Sequence, residues 1–252
     1  SLISPLPMNF AFMDLFAAYT AQCEGDFDQL FVPFRCVTSD VVAKHKIVCR
    51  SGHLSDAVRA SMTFPPVFQP IKMDGVYVYD GGIYDNFPVD VMREDFAPDF
   101  MIGIDVHAED VPQSNSIINQ LENMIIQNND YDLPADEGMR IHVDVSRFSL
   151  LDFGKAKEIS SIGYATAMEM MDSLKSRVTS REPARTRELR RQVFKSKTPY
   201  VRFDSVHVSG GTPQQNAYIG RLFKSSRVDT FGMDRARLAY YSALSPGRLR
   251  NL

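Results

Sequence analysis

The residues best placed to do chemistry are Asp80 and the two glycines behind it, Gly81 and Gly82, which follow the strand-like run Val76-Tyr77-Val78-Tyr79. A carboxylate held at a strand end can orient a partner, bind, or take a proton. Two glycines there admit positive φ and the close approach of another chain or a ligand. Asp-Gly is also an ordinary turn pair, so the triplet alone is compatible with a plain turn. Other groups invite the same question. Ser61 could be a nucleophile for Asp80, but Arg-Ala-Ser-Met-Thr lacks the glycines of a strained elbow. Asp105 and His107 could share one side of a strand and, with Glu109 and Asp110, hold a cation; the competing reading is a surface strand end. Asp85 and Asp90 either pair with Asp80 or are solvated loop carboxylates. His45, His53, His142 and His207 are scattered and receive no role. Cys23, Cys36 and Cys49 are odd in number and show no metal spacing, so they read as small buried hydrophobes.

The elements around Asp80 follow from local rules. An amphipathic helix is expected over Phe10–Gln22, then strands over Phe31–Asp40 and Lys46–Arg50. Ser55 to Met62 fits a short helix capped by Ser55, and Phe64-Pro65-Pro66 ends it because proline lacks an N–H and forces the preceding residue toward extended geometry. Strands over Val76–Tyr79, Phe100–Val106 and Ile141–Val145, a helix over Asn115–Gln127 and one long helix over Lys155–Val178 complete an α/β layer pattern with a largely parallel sheet.

Composition is that of an ordinary globular chain: 252 residues, 44% hydrophobic and 23% charged. The best apolar stretch, Phe10 to Ala18, is short and interrupted by Asp14, so no membrane-spanning segment is expected. The net charge of −3 conceals a division, with 11 Lys+Arg against 26 Asp+Glu before residue 175 and 17 against 5 from there on. Such asymmetry marks two parts with different surroundings. The basic run from Ser176 to Lys197 carries no interleaved stacking aromatics, so it reads as a solvated helical linker and nucleic acid is not an expected partner.

The order Ala60-Ser61-Met62, Phe64-Pro65, Phe68, Asp74-Gly75, Asp80-Gly81-Gly82 and Asn86-Phe87-Pro88-Val89 resembles the second half of the patatin-like phospholipase family. Leu30 to Asp40 and Gly52-His53-Leu54 upstream, and Met101-Ile102-Gly103-Ile104-Asp105-Val106 downstream, fit the same pattern. The resemblance implies lipid acyl hydrolysis by a Ser-Asp dyad that needs no metal or other cofactor. Asp80 would be the general base, with Gly81 and Gly82 shaping its turn. A dyad without histidine asks the aspartate itself to take the proton, which favours a raised pKa; Val78, Ile83 and Phe87 are suitable neighbours. The family's serine sits in a Gly-x-Ser-x-Gly elbow beside a glycine-rich oxyanion loop, and neither occurs in these 252 residues. The chain, which opens on Ser1, is therefore expected to be part of a longer protein, inactive alone, with its nucleophile upstream. A sheet lacking its first half would expose an apolar face and favour homo-oligomers.

After the basic run, Tyr200 to Val208 alternates like a strand, Thr212-Pro213 opens a helix, and a second helix fits Asp234–Leu244. This order resembles the start of a polypeptide-transport-associated (POTRA) domain. The two resemblances together imply a hydrolase part over residues 1–175, a linker over 176–198 and an incomplete POTRA-like module over 199–252. They also imply a bacterial cell-envelope setting, phospholipid or other lipid-ester substrates and a nearby membrane surface. A non-catalytic binding or assembly module that retains the fold is the alternative.

Overall fold

The computed structural model describes residues 4–65, 67–106, 130–149, 152–224 and 230–244. Helix α1, Leu6–Gln22, begins behind Pro5, four residues earlier than the apolar periodicity suggested. Strands β1, Cys36–Asp40, and β2, His45–Cys49, form a hairpin. Its turn is set by Asp40, whose Oδ1 accepts from the amides of Val42 at 2.9 Å and Ala43 at 2.8 Å, while Lys44 takes a left-handed φ of 59°. A second hairpin joins β3, Ile71–Met73, to β4, Val76–Asp80, through Asp74 and Gly75, both at positive φ (48° and 88°). That is the turn an Asp-Gly pair favours.

The two hairpins combine into a sheet of order β2-β1-β4-β3, antiparallel throughout. Among the described residues, parallel pairing is confined to β5, Met101–Asp105, with β6, Gly138–His142. The expected largely parallel sheet is corrected accordingly: turn chemistry at Asp40 and Asp74-Gly75 closes hairpins, and hairpins are antiparallel. Pairing at Cys36↔Cys49 also places two cysteines directly opposite each other, although they are far apart in sequence. The Cys36 thiol hydrogen-bonds the Cys49 sulfur, which pushes Cys36 up and draws Cys49 down.

Helix α2, Leu54–Ser61, lays Leu54, Ala57, Arg59 and Ala60 into the interior. Its N-cap is His53 in extended geometry, and Ser55, expected as the cap, bonds instead to Asp56 from inside the first turn. Helix α3, Val89–Phe96, follows Pro88 and stops at Ala97 in the left-handed region. The expected long helix is broken at Met170 into α4, Ala156–Glu169, and α5, Met171–Arg177, and none of its residues is buried. The basic segment forms α6, Ala184–Ser196. Beyond it, β7 is only Arg202–Phe203, so the alternation of 200–208 did not make a full strand. Helix α7, Pro213–Phe223, starts as expected, with Thr212 and Gln215 in a capping box. A short β8, Phe231–Gly232, pairs with β7 and leads into α8, Met233–Leu244. The helix expected over 115–127, and His107, lie outside the described residues.

The C-terminal elements pack on α1. Phe10, Phe231, Ala236 and Tyr240 form one core cluster, the Phe10 and Tyr240 rings lie 5.1 Å apart, and the Tyr240 hydroxyl donates to the Leu6 carbonyl at 2.7 Å. A second cluster of Phe27, Cys49, Leu54 and Ala57 fills the space between α2 and the hairpin of β1 and β2. No described helix is long and apolar enough to cross a membrane.

Candidate functional site around Asp80

Asp80 ends β4, facing Thr38 of β1 across the ladder. Its amide donates to the Thr63 carbonyl at 3.0 Å, which ties the strand end to the proline turn after α2. Its carboxylate Oδ1 accepts from the Gly82 amide at 2.8 Å as the chain enters a tight turn over Gly81–Ile83. The two glycines are needed for space, not for positive φ, which neither adopts. A Cβ on Gly81 would stand 2.3 Å from the Val37 carbonyl oxygen, and one on Gly82 would stand 2.7 Å from Asn86 Oδ1. The Ser39 hydroxyl donates to the Gly81 carbonyl at 3.3 Å and fixes the turn from β1.

Burial controls the chemistry of this carboxyl. Desolvation pushes Asp80 up from the ordinary value of 3.8 to about 6, only partly offset by the Gly82 amide. None of the described ion pairs includes Asp80. Neighbouring charges are engaged elsewhere: Lys46 Nζ donates to Asp85 Oδ2 at 2.7 Å and also to Asp90. Asp85 and Asp90 are thus neither partners of Asp80 nor free loop carboxylates, because a lysine on β2 holds both.

Arg59 carries no signal in the sequence, since arginine is a residue type that is rarely buried. Here it is 3% exposed, with Nε donating to Asn9 Oδ1 at 3.0 Å, Nη1 to Thr63 Oγ1 at 2.5 Å, and the guanidinium over Phe68 at 4.7 Å. No described acceptor meets its buried Nη2. Thr63, which returns a bond from its hydroxyl to the Arg59 carbonyl at 2.8 Å, links this buried cation to the backbone of Asp80. Ser61 sits in the last turn of α2. A serine elbow sits between a strand and a following helix, so this position does not reproduce one.

On the other side of the turn, Asn86 donates to the Tyr131 hydroxyl at 2.7 Å, and Phe87 packs against Gly103, where a Cβ would come within 2.2 Å of its ring. Asp105, expected at a surface strand end or in a cation cluster, is instead 4% exposed, bonded to Arg140 Nε and His142 Nδ1, each at 2.6 Å. His142, given no role from sequence, is part of that network because β6 pairs in register with β5, Asp105 opposite His142. Among the described residues no group of three or more His, Cys, Asp or Glu side chains is arranged to hold a metal ion.

Comparison with known proteins places a patatin-like phospholipase match on residues 23–93, the span that contains β1 to β4, α2 and Asp80. An uncharacterized NTE family protein of Mycobacterium bovis is 37% identical over 62 residues, 25% of this chain and 17% of that protein. Patatin-like phospholipase domain-containing protein 6 of Homo sapiens is 38% identical over 91 residues, covering 34% of this chain and 6% of its own length. Patatin-like phospholipase domain-containing protein 7 of Mus musculus is 28% identical over 191 residues, covering 59% of this chain and 13% of its own length. The chain thus spans a small part of each curated relative. The mixed α/β architecture is consistent with a patatin-like fold.

Proposed function

We propose that this chain carries the general base of a lipid acyl hydrolase, Asp80, acting with a serine supplied by a segment outside these 252 residues. The observation that carries the reading is the setting of Asp80 inside the patatin-like span. It is a strand-end carboxyl raised by burial to about 6 and paired with no cation among the described residues. A base poised near neutrality is deprotonated in the resting enzyme yet can hold a proton during the reaction.

In this mechanism the serine Oγ attacks the ester carbonyl carbon while its proton passes to the Asp80 carboxylate. The tetrahedral intermediate collapses, the alcohol oxygen leaves with that proton, and an acyl-serine remains. Asp80 then takes a proton from water, whose oxygen attacks the acyl carbon; the second tetrahedral intermediate breaks its bond to the serine Oγ, which recovers the proton from Asp80, and the carboxylic acid is released. Carboxylic esters of phospholipids or related lipids are the proposed substrates, reached at a membrane surface. Gly81 and Gly82 serve by letting the turn close under Asp80 where side chains would collide.

The remaining elements are assigned as part of the same proposal: residues 1–175 to the hydrolase, 176–198 to a basic linker, and 199–252 to a POTRA-like module in a bacterial envelope protein. The capped helix α7, the helix α8 and the pairing of β7 with β8 support a small α+β unit there.

The test is fluorophosphonate labelling of this chain beside a parent protein that also carries the proposed serine segment, with the modified serine mapped by mass spectrometry. We expect labelling of the parent alone and a loss of esterase rate on the order of 10²–10⁴-fold with Asp80→Asn. Labelling of the short chain at Ser61 would relocate the nucleophile. Silence from both proteins would support a non-catalytic binding module.

A further inference from the structure

A second candidate site lies away from Asp80, where the basic helix α6 meets α1. The helix is held there by Phe194, whose ring stacks on Tyr19 with centroids 6.2 Å apart and whose carbonyl accepts from Gln22 Nε2 at 3.0 Å. Just beyond it, Thr198 Oγ1 donates to Gln22 Oε1 at 2.7 Å. Between α6, α1, the 30–34 loop and α2 remains a cavity of about 550 Å³. Leu30, Phe34, Leu54 and Val58 contribute to its apolar lining, and Arg191 and Lys195 supply the formal charges found among its described lining residues.

That charge pattern has a direction. Among the described residues no carboxylate lines the cavity. Lys195 enters no ion pair among the described residues, and the ion pair of Arg191 is with Glu188, on its own helix at 3.8 Å, while its guanidinium lies 5.7 Å from the centre of the Phe31 ring. Both are exposed residues of α6, so their aliphatic stems lie along the apolar hollow and their charged ends stand at its rim. Small-molecule sites are typically apolar clefts of roughly 300–1,000 Å³ with a few polar groups that fix one end of the ligand. We infer that this cavity binds a single-chain amphiphile with an anionic head, the chain lying on Leu30, Leu54 and Val58 and the head meeting Arg191 and Lys195.

The site is separate from the Asp80 turn. None of the lining residues belongs to β1, β4 or residues 81–88. Helix α2 divides the two regions, presenting Leu54 and Val58 to the cavity while Arg59 turns to Asn9 and Thr63. The inference needs only the cavity and its charges and holds whether or not Asp80 is a catalytic base.

The test uses fluorescence of cis-parinaric acid titrated into the 252-residue chain, with displacement by decanoate, decanol and a decanoyl lysophosphatidate. Saturable binding at one site per chain is expected, with decanoate or the lysophosphatidate displacing at least tenfold better than decanol. The more potent of the two identifies the head as carboxylate or phosphate. Arg191→Glu with Lys195→Glu should weaken parinarate at least tenfold, and Val58→Trp should remove binding by filling the hollow. Circular dichroism melts establish that both variants are folded, and Asp80→Asn should leave the affinity unchanged. Absence of saturable binding, equal displacement by decanol, or indifference to the charge reversal would overturn the assignment. So would a dimer whose formation excludes parinarate, which would make the hollow an interface between copies.

Discussion

The sheet around Asp80 and the helices from residue 156 to 196 are built on opposite principles. In the sheet, Thr38 and Ser39 are fully buried, Val78 is 1% exposed, and the two glycines of the turn have no room for even one more carbon. In α4, α5 and α6 no residue is buried at all. The first region holds a carboxylate in one geometry by packing and backbone bonds from three directions. The second offers charge and a half-buried apolar stripe, which suits contact with something outside the chain. Packing density therefore separates a place where a proton can be managed from a place where a partner can be met.

The comparison breaks most visibly at glycine. Gly81→Ala puts a Cβ 2.3 Å from the Val37 carbonyl oxygen, a backbone atom that can yield only by moving β1. A destabilisation of about 3 kcal/mol is expected, at the upper end of what overpacking usually costs. Gly220 lies inside α7 with nothing within 4 Å of its ideal Cβ. Gly220→Ala should stabilise by about 0.5–1 kcal/mol, since alanine has less backbone entropy to lose in a helix. Urea unfolding of the two variants measures both. Equal effects would mean that the turn at Asp80 is not packed as described.

A comparable effect, and one whose size depends on pH, is expected at Asp80 itself. Its folded pKa of about 6 lies above the ordinary 3.8, so between those values the folded state binds more protons than the unfolded state. Stability then falls as pH rises through this window, and above it the buried charge costs on the order of 3 kcal/mol. Asp80→Asn keeps an oxygen for the Gly82 amide and removes the charge. The variant should be more stable than wild type near pH 8 by about that amount and nearly equal to it near pH 4. Urea midpoints at the two values check it, and a gain that did not vary with pH would exclude burial of the charge as its cause. On the proposed reading, a protein that joins this chain to the serine-bearing segment should show an esterase rate that rises with pH through about 6.

Legibility in the sequence followed the range of the interaction. Asp80-Gly81-Gly82 could be found because turn chemistry and strand propensity are local, and so could Thr212-Pro213 as a helix start. The hairpin at Asp74-Gly75 was equally local and was missed as a turn: its flanking strand β3 is only three residues long, too short for alternation to show. Arg59, Lys46 and the pair Asp105 and His142 were not legible, since each depends on which segments the topology brings together. Cys36 and Cys49 show the same limit, being unrelated by spacing and adjacent only through the register of β1 with β2. For the glycines themselves sequence offers two reasons, freedom of φ and the close approach of another chain, and only the second holds: neither has positive φ, and the Val37 backbone leaves no space for a Cβ on Gly81.

The smallest effect on stability is expected on β5, at the margin between the two regions. Its buried residues Met101 and Asp105 alternate with Ile102 and Ile104, which are 50% and 61% exposed. Parallel strands are normally covered on both faces, so branched aliphatic side chains on an open one ask for a cover. Ile104→Lys removes little packing and should change the unfolding free energy by less than about 0.5 kcal/mol, the usual range for surface substitutions. If copies of the chain supply the cover, sedimentation velocity should show wild-type protein associating as concentration rises and Ile104→Lys remaining a monomer. A wild-type chain that stays monomeric would remove self-association as the use of this face. A large loss of stability in the variant would mean that β5 belongs to the tightly packed region instead.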